Sequence, residues 1–330
     1  MVREGRVSAR DVAEHAGCSV SAVSLVVNGK DAGRISPELR ERVLAAVTEL
    51  DYRPNRSARS LVTGDSGTIC VVLPDPANPF FGDVLAGLGA ALGDEHTLAL
   101  VLPTSGTDYD QRTVLRAYSL DPAGVVLISP GEPVLRGLVP RCPTLVVDAP
   151  GRTPPLPRVD LDTVAAGELI SDHLTALGHR GFGYIGPKSD KPTFRTRREA
   201  FLDRVTGAEV LHTLDLPDWD PLAAAVTMAS VLPGWLDSGV TAVVCADDLL
   251  GYGVLTALDR LGRSGVAVVG MGDLPFSQLC RPALTSVDFA GRRAGELAGQ
   301  SLLSWISTGE RPRRARVPAK LMVRASTEKG

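Results

Sequence analysis

The chain has 330 residues, of which 44% are hydrophobic and 22% charged; this is enough for about two domains with packed cores and unlike a disordered, collagenous or disulfide-stapled protein. No apolar run approaches the roughly 20 residues needed to cross a bilayer, and the opening MVREGRVSARDVAEHAG lacks a signal-peptide core, so a cytoplasmic protein with no membrane partner is expected. The formal net charge of −3 argues against a protein that coats nucleic acid over its whole surface.

Charge is unevenly spread: residues 1–64 carry ten Lys or Arg against eight Asp or Glu, while the remainder is acidic. The small basic excess therefore sits at one end. Cys18, Cys70, Cys142, Cys245 and Cys280 form no C-x-x-C pair, and His15, His96, His173, His179 and His212 show no H-E-x-x-H spacing. Neither a metal nor another cofactor is expected.

Residues 6–50 read as three short helices. Ser8 and Asp11 make a capping-box start, and Val12, Ala13 and Ala16 follow until Gly17 stops the helix. Ser19 caps a second helix that ends at Asn28-Gly29. Ser36-Pro37-Glu38 opens a third, whose buried face is Leu39, Val43, Ala46, Val47 and Leu50. The first pair, joined by so short a turn, is a helix-turn-helix candidate, with an ordinary helical hairpin as the alternative; Ser19, Ser21, Ser24 and Asn28 are short polar residues able to reach phosphates or base edges.

After Tyr52 the segment RPNRSARSLVTGDSG has no amphipathic stripe and reads as a linker. From Thr68 onward apolar strands alternate with helices. TICVVLPD, TLALVLPT, GVVLIS and TLVVDA are separated by FGDVLAGLGAALGDE and a helix near 109–120. The pattern then restarts with a helix at TVAAGELISDHLTALG, the strand GFGYIG, a helix near 195–205, a strand near 208–216, a helix near 222–232, TAVVCAD, a helix to Leu261 and VAVVGMGD. Such alternation is the mark of parallel sheets with crossover helices. A helix over 292–307 and the segment RVPAKLMVRAS, read as a final apolar strand, close the chain and return to complete both halves.

Two motifs are set aside by context. GFGYIG fits G-x-G-x-x-G, but its glycines lie inside a strand rather than between a strand and a helix, which disfavours a dinucleotide site. Arg311, Arg313, Arg314 and Arg316 read as a solvated connection between the halves. No nucleophile–base pair, metal cluster or phosphate loop points to an enzyme.

SARDVAEHAGCSVSAVSLVVNG followed by ISPELRERVLAAVTELDYRPNRSARSL resembles the DNA-binding segment of the lac repressor and galactose repressor family, and the likeness continues through NPFF, VDLDTVAAG, HLTALGHR, CADDLLGYGVLTAL and PALTSV. The resemblance implies a three-helix DNA-binding domain over 1–53, a hinge over 54–64, and a two-lobed, periplasmic-binding-protein-like α/β domain over 65–330. It implies a homodimeric regulator, most simply a repressor, that binds double-stranded operator DNA. Ser19, Ser24, Asn28 and Tyr52 would contact phosphates, and Val20, Ser21 and Leu25 would face base edges. Ser8, Arg10, Asn55 and Arg56 join the expected contacts, and Leu61 matches the apolar wedge of a hinge helix. Relatives commonly carry Arg where this chain has Leu25, which removes a bidentate guanine contact worth roughly 1–3 kcal/mol of discrimination.

In the larger domain the chain should cross between lobes near Leu161, Val287 and Val317. Carboxyl ends of strands face such a cleft, which points to Asp75, Ser129, Asp148, Asp247 and Asp273, with Phe80 and Phe81 in the loop after the first strand. Each acid taken singly could equally be a helix cap or turn residue. By resemblance, Phe81, Thr193, Arg197, Trp219 and Asp247 match effector-contacting positions, and a sugar or nucleoside is the expected effector. Asp247 replaces a usual Asn, Gly272 replaces the first of two usual acids, and GRSGVAV is short. An effector domain that senses no small molecule, or senses a protein, is the alternative. The absence of a leucine-heptad tail after Arg324 favours a dimer over a tetramer.

Overall fold

A computed structural model of the chain describes residues 7–27, 29–52, 66–104, 108–150, 156–189, 191–205, 207–217 and 219–328. It divides into two compact units, 1–67 and 68–330. Among the described residues no helix is long and apolar enough to cross a membrane.

The first unit is three helices, α1 (Ala9–Ala16), α2 (Val20–Val27) and α3 (Pro37–Glu49). The local signals act as expected. Ser8 Oγ accepts from the Asp11 backbone N–H while Asp11 accepts from the Ser8 backbone at 2.7 Å, and these hydrogen bonds hold the Asp11 carboxyl below its usual range. Gly17 stops α1 in the left-handed conformation, φ 61°. Ser19 Oγ accepts from Ala22 N at 3.1 Å, and Ser36 Oγ from Leu39 N at 3.3 Å. Val12, Ala13, Ala16, Val23, Val26, Val43 and Ala46 form the core, with Leu39, Val47, Leu50 and Tyr52 packed against it.

The second unit has two six-stranded sheets. Lobe one holds β1 (Thr68–Val72), β2 (Thr97–Val101), β3 (Gly124–Ile128), β4 (Thr144–Val147), β5 (Arg158–Leu161) and β11 (Ala315–Val317), in the order β11-β5-β4-β3-β1-β2. Lobe two holds β6 (Gly181–Pro187), β7 (Val210–Leu216), β8 (Ala242–Cys245), β9 (Ala267–Met271), β10 (Thr285–Asp288) and β12 (Lys320–Met322), in the order β12-β10-β9-β8-β6-β7. Pairing is parallel except between β10 and β12. Helices α4 (Pro79–Leu92), α5 (Gln111–Tyr118), α6 (Glu132–Arg136) and α11 (Gly291–Thr308) belong to lobe one, and α7 (Thr163–Ala176), α8 (Pro192–Leu202), α9 (Pro221–Asp237) and α10 (Asp248–Arg260) to lobe two.

The chain passes between lobes at Asp162, at Phe289–Ala290 and at Pro318–Ala319, as the expected crossings near Leu161, Val287 and Val317 require. Several details differ from the sequence reading. RVPAKLMV is two short strands in different sheets, because Pro318 and Ala319 form the third crossing. The helix expected over 222–232 runs through Pro233 to Asp237, where Trp235 is buried. Phe80 and Phe81 lie in the first turn of α4, not in a loop, because Asn78 caps that helix by accepting from Phe80 N at 3.0 Å. Helix α6 and strand β5 are additional elements.

The glycines of GFGYIG stay within β6. A Cβ at Gly183 would overlap the ring of Trp235, so the motif serves close helix–sheet packing. Of the basic run, Arg314 Nε donates to the buried Asp160 at 2.5 Å and Arg311 lies over Trp305. These arginines tie down the last crossing.

Candidate functional site

Helix α2 is two-faced. Ala22, Val23 and Val26 are buried, while Ser19, Val20, Ser21 and Ser24 are exposed and Leu25 is half-buried at their edge. Ser8 and Arg10 are also exposed. The surface thus offered is one of small hydroxyls and short apolar groups around a helix N-terminus, suited to phosphate oxygens and thymine methyls. Tyr52 packs its ring on the three-helix core. Asn28, Asn55, Arg56 and Leu61 lie outside the described residues.

The second site follows from sheet topology. In each lobe the strand order reverses beside the first strand of that lobe, between β1 and β3 and between β6 and β8. Segments leaving the carboxyl ends there splay apart and leave a crevice. The two crevices face one another. Asn78, Phe80, Phe81, Ser129 and Asp148 enter from lobe one, and Lys191, Thr193, Phe194, Arg197, Trp219, Asp247, Met271 and Gly272 from lobe two. The cavity they leave is about 20 Å³, room for about one water.

The cleft is polar and buried. Ser129 and Asp148 terminate β3 and β4 with φ of 44° and 57°, and Ser129 Oγ donates to Asp148 Oδ2 at 2.8 Å. Arg197 Nη1 donates to Ala246 O at 2.8 Å, and its guanidinium lies 4.6 Å from the Phe289 ring centroid. Asp247 caps α10 by accepting from Leu249 N at 2.9 Å. Burial raises the Asp247 carboxyl above its usual range, against the opposing effects of that hydrogen bond and Arg197. Among the described residues, Asp148 Oδ1, Thr193 Oγ1 and Arg197 Nε are buried without a hydrogen-bond partner.

Among the described residues, several polar contacts clasp the lobes. Trp219 Nε1 donates to Asp75 Oδ2 at 2.9 Å, and Asn78 Nδ2 to Asp247 Oδ2 at 3.1 Å. Arg195 pairs with Glu132 at 2.9 Å, and Lys191 with Asp108. Asp75 therefore stands at the clasp beside the cavity lining. Asp273 is a correction: its carboxylate pairs with Arg324 at 2.6 Å and is absent from the cavity lining. Gly272, by contrast, lines it with φ 148°, a backbone conformation that an acidic side chain would strain. Asn78, Lys191 and Phe194 were not singled out from sequence. The Asn-Pro start of α4 was a signal for the first; nothing local marks the second.

A model for the lacI family of bacterial regulatory proteins matches residues 8–55 and one for a periplasmic binding protein-like domain matches residues 171–327. The transcriptional regulator CelR of Thermobifida fusca is 30% identical, over 99% of this chain and 100% of its own. The ribose operon repressor of Halalkalibacterium halodurans is 28% identical over 97% of each chain. A lac repressor dimer bound to operator and the anti-inducer ONPF superposes with a TM-score of 0.80 at 25% identity, over 97% of this chain and 99% of that one; a complex of CelR with cellobiose gives 0.68 at 26%, over 97% and 100%. With the helix-turn-helix unit, the two-lobed unit and a full-length relative at this identity, the chain belongs to the lacI family of bacterial regulatory proteins.

Proposed function

We propose that this regulator acts as a repressor that binds operator DNA as a homodimer and is controlled by a small polar effector held between its lobes. The carrying observation is the trio of unpartnered buried atoms, Asp148 Oδ1, Thr193 Oγ1 and Arg197 Nε. An acceptor, a hydroxyl and a donor converging on one cavity are what hydroxyl groups of a sugar or nucleoside would satisfy. The cellobiose held by CelR supports a sugar. Phe81 and Trp219 would cover the ligand's apolar faces, and Asp247 would accept from its hydroxyls.

In the DNA-binding unit, residues 1–53, Ser19, Ser24, Asn28 and Tyr52 would hold phosphates while Val20, Ser21 and Leu25 meet base edges. Ser8, Arg10, Asn55 and Arg56 add contacts, and Leu61 of the hinge, residues 54–64, would wedge into the minor groove. The operator-bound dimer of the lac repressor supports this assembly. In the unit over 65–330, Leu222 and Val226 on α9, with Phe276 and Leu279, expose apolar surface for pairing of subunits. The protein would work in the cytoplasm and without turnover of its effector.

A second reading rests on the cavity of about 20 Å³, too small for a sugar in this closed arrangement: an effector unit that senses a protein, or nothing. Selecting genomic fragments with the purified protein gives the operator. Titrating sugars and nucleosides into the complex then separates the readings. A ligand that changes operator affinity supports the first; a calorimetric screen of metabolites with no binding supports the second.

A further inference from the structure

Lys191 caps no helix with its side chain. Instead it extends into the cleft, where the residue is 1% exposed. Its ammonium lies 4.5 Å from the centroid of the Trp219 ring and pairs with Asp108 of the opposite lobe. The indole that carries it is fixed from the other side, since Trp219 Nε1 donates to Asp75. An aromatic face with a carboxylate beside it is the chemistry that binds an organic ammonium ion.

The charge around this spot points the same way. Without the lysine, the buried carboxylates of Asp148 and Asp247, with the more exposed ones of Asp75 and Asp108 at the rim, would stand about the cleft, where among the described lining residues Arg197 supplies the other cation. Two buried acids with two more at the rim favour a further cation beside Arg197, and in this structure the chain supplies one from its own side chain. That side chain also fills space a ligand would need, for the remaining cavity is only about 20 Å³.

We propose that the cleft contains an organic-ammonium site on the face of Trp219, occupied here by Lys191 as a tethered ligand, and that the effector is an amine-bearing polyol such as an amino sugar, whose nitrogen takes the place of the lysine. The proposal rests on the effector reading for its second half alone. On displacement the Lys191 stem would turn toward the wider cavity of about 600 Å³ that Asp108, Arg112 and Lys188 line, where a solvated ammonium costs little. The side chain of Asp108, 53% exposed, tolerates that exchange.

The test uses the full chain with Lys191→Ala and three probes at matched ionic strength: ethylammonium chloride, glucosamine and glucose. Both amines are expected to bind saturably and raise the melting temperature, glucosamine about ten-fold or more tighter than glucose. Adding Asp108→Asn, a change at a half-exposed position, should remove most of the gain. Wild-type protein should respond to ethylammonium far more weakly. Amines that bind no better than sodium chloride or glucose, or a response that survives Asp108→Asn unchanged, would overturn the proposal. If Lys191→Ala does not fold alone, ethylammonium should restore folding where sodium chloride does not; failure of that rescue in both Lys191→Ala and Lys191→Ser overturns it as well. Amine binding with no change in operator affinity would keep the ammonium site and sink the effector reading, so the two fail separately.

Discussion

Asn78 donates its side-chain amide to Asp247 across the cleft at 3.1 Å, and so joins the N-cap of α4 in lobe one to the N-cap of α10 in lobe two. Each residue also caps its own helix. Asn78→Ala therefore removes a cap worth about 1 kcal/mol and leaves a buried Asp247 oxygen without its donor, costing a further 1–3 kcal/mol or so. Denaturant unfolding should show a loss of roughly 2–4 kcal/mol. A variant as stable as the parent would mean that the lobes are not held by this bond.

Beneath it lies a fully buried carboxylate. Asp248 accepts from Leu274 N at 2.8 Å, Ser277 Oγ at 2.7 Å and Ser286 Oγ at 2.5 Å, and burial nevertheless raises its pKa to about 7. The native state then holds this proton more tightly than the unfolded chain. Stability from this group is present below about pH 4 and declines as pH rises toward 7, by up to about 4 kcal/mol. Melting temperature should fall between pH 5 and pH 8, and Asp248→Asn should flatten that slope. An unchanged slope in the variant would assign the effect to other groups.

The first unit is legible in sequence because its signals are local: Ser8 and Ser36 cap the helices that begin beside them. The cleft is half legible, since the strand-end rule finds Ser129, Asp148 and Asp247 from chain order alone. Asp273 obeys the same rule and fails, because Arg324, fifty-odd positions later, turns its carboxylate away. Lys191 is the converse case. Its partners Asp108 and Trp219 lie on other segments, one of them in the opposite lobe, and no spacing announces that a lysine will be buried between them.

Leu25 stands half-buried at the rim of the exposed face of α2, where an apolar side chain can meet a thymine methyl but cannot bind guanine in bidentate fashion. Base choice at the step it faces should be loose. Leu25→Arg should sharpen it toward guanine by roughly 1–3 kcal/mol. Binding-site selection with both proteins checks this, and identical sequence preferences would show that Leu25 does not face the bases.

Gly183 tests what the glycine motif is for. If GFGYIG served a dinucleotide, a methyl group there would change ligand binding before stability. Because a Cβ would run into the Trp235 ring, Gly183→Ala should instead cost about 1–3 kcal/mol or more through overpacking, and added NAD should leave the melting temperature of parent and variant unmoved.

Arg197 is where effector and regulation should meet. Its guanidinium is gripped by Ala246 O and the rings of Phe289 and Phe194, yet Nε has no hydrogen-bond partner among the described residues. A buried donor without an acceptor is costly, so a ligand oxygen placed there gains more than it would at a solvated arginine. That gain acts on DNA affinity only if the ligand prefers one arrangement of the lobes. Coupling of this kind is typically about 1–3 kcal/mol, or roughly 5- to 150-fold in operator affinity. Arg197→Lys keeps a charge in the cleft but loses the planar fork, and should abolish most of that response while operator binding without effector stays within a few fold of the parent. Fluorescence anisotropy on labelled operator, with and without saturating effector, separates the two quantities. A normal response in the variant would remove Arg197 from the effector site; equal loss of effector-free binding would make its role structural.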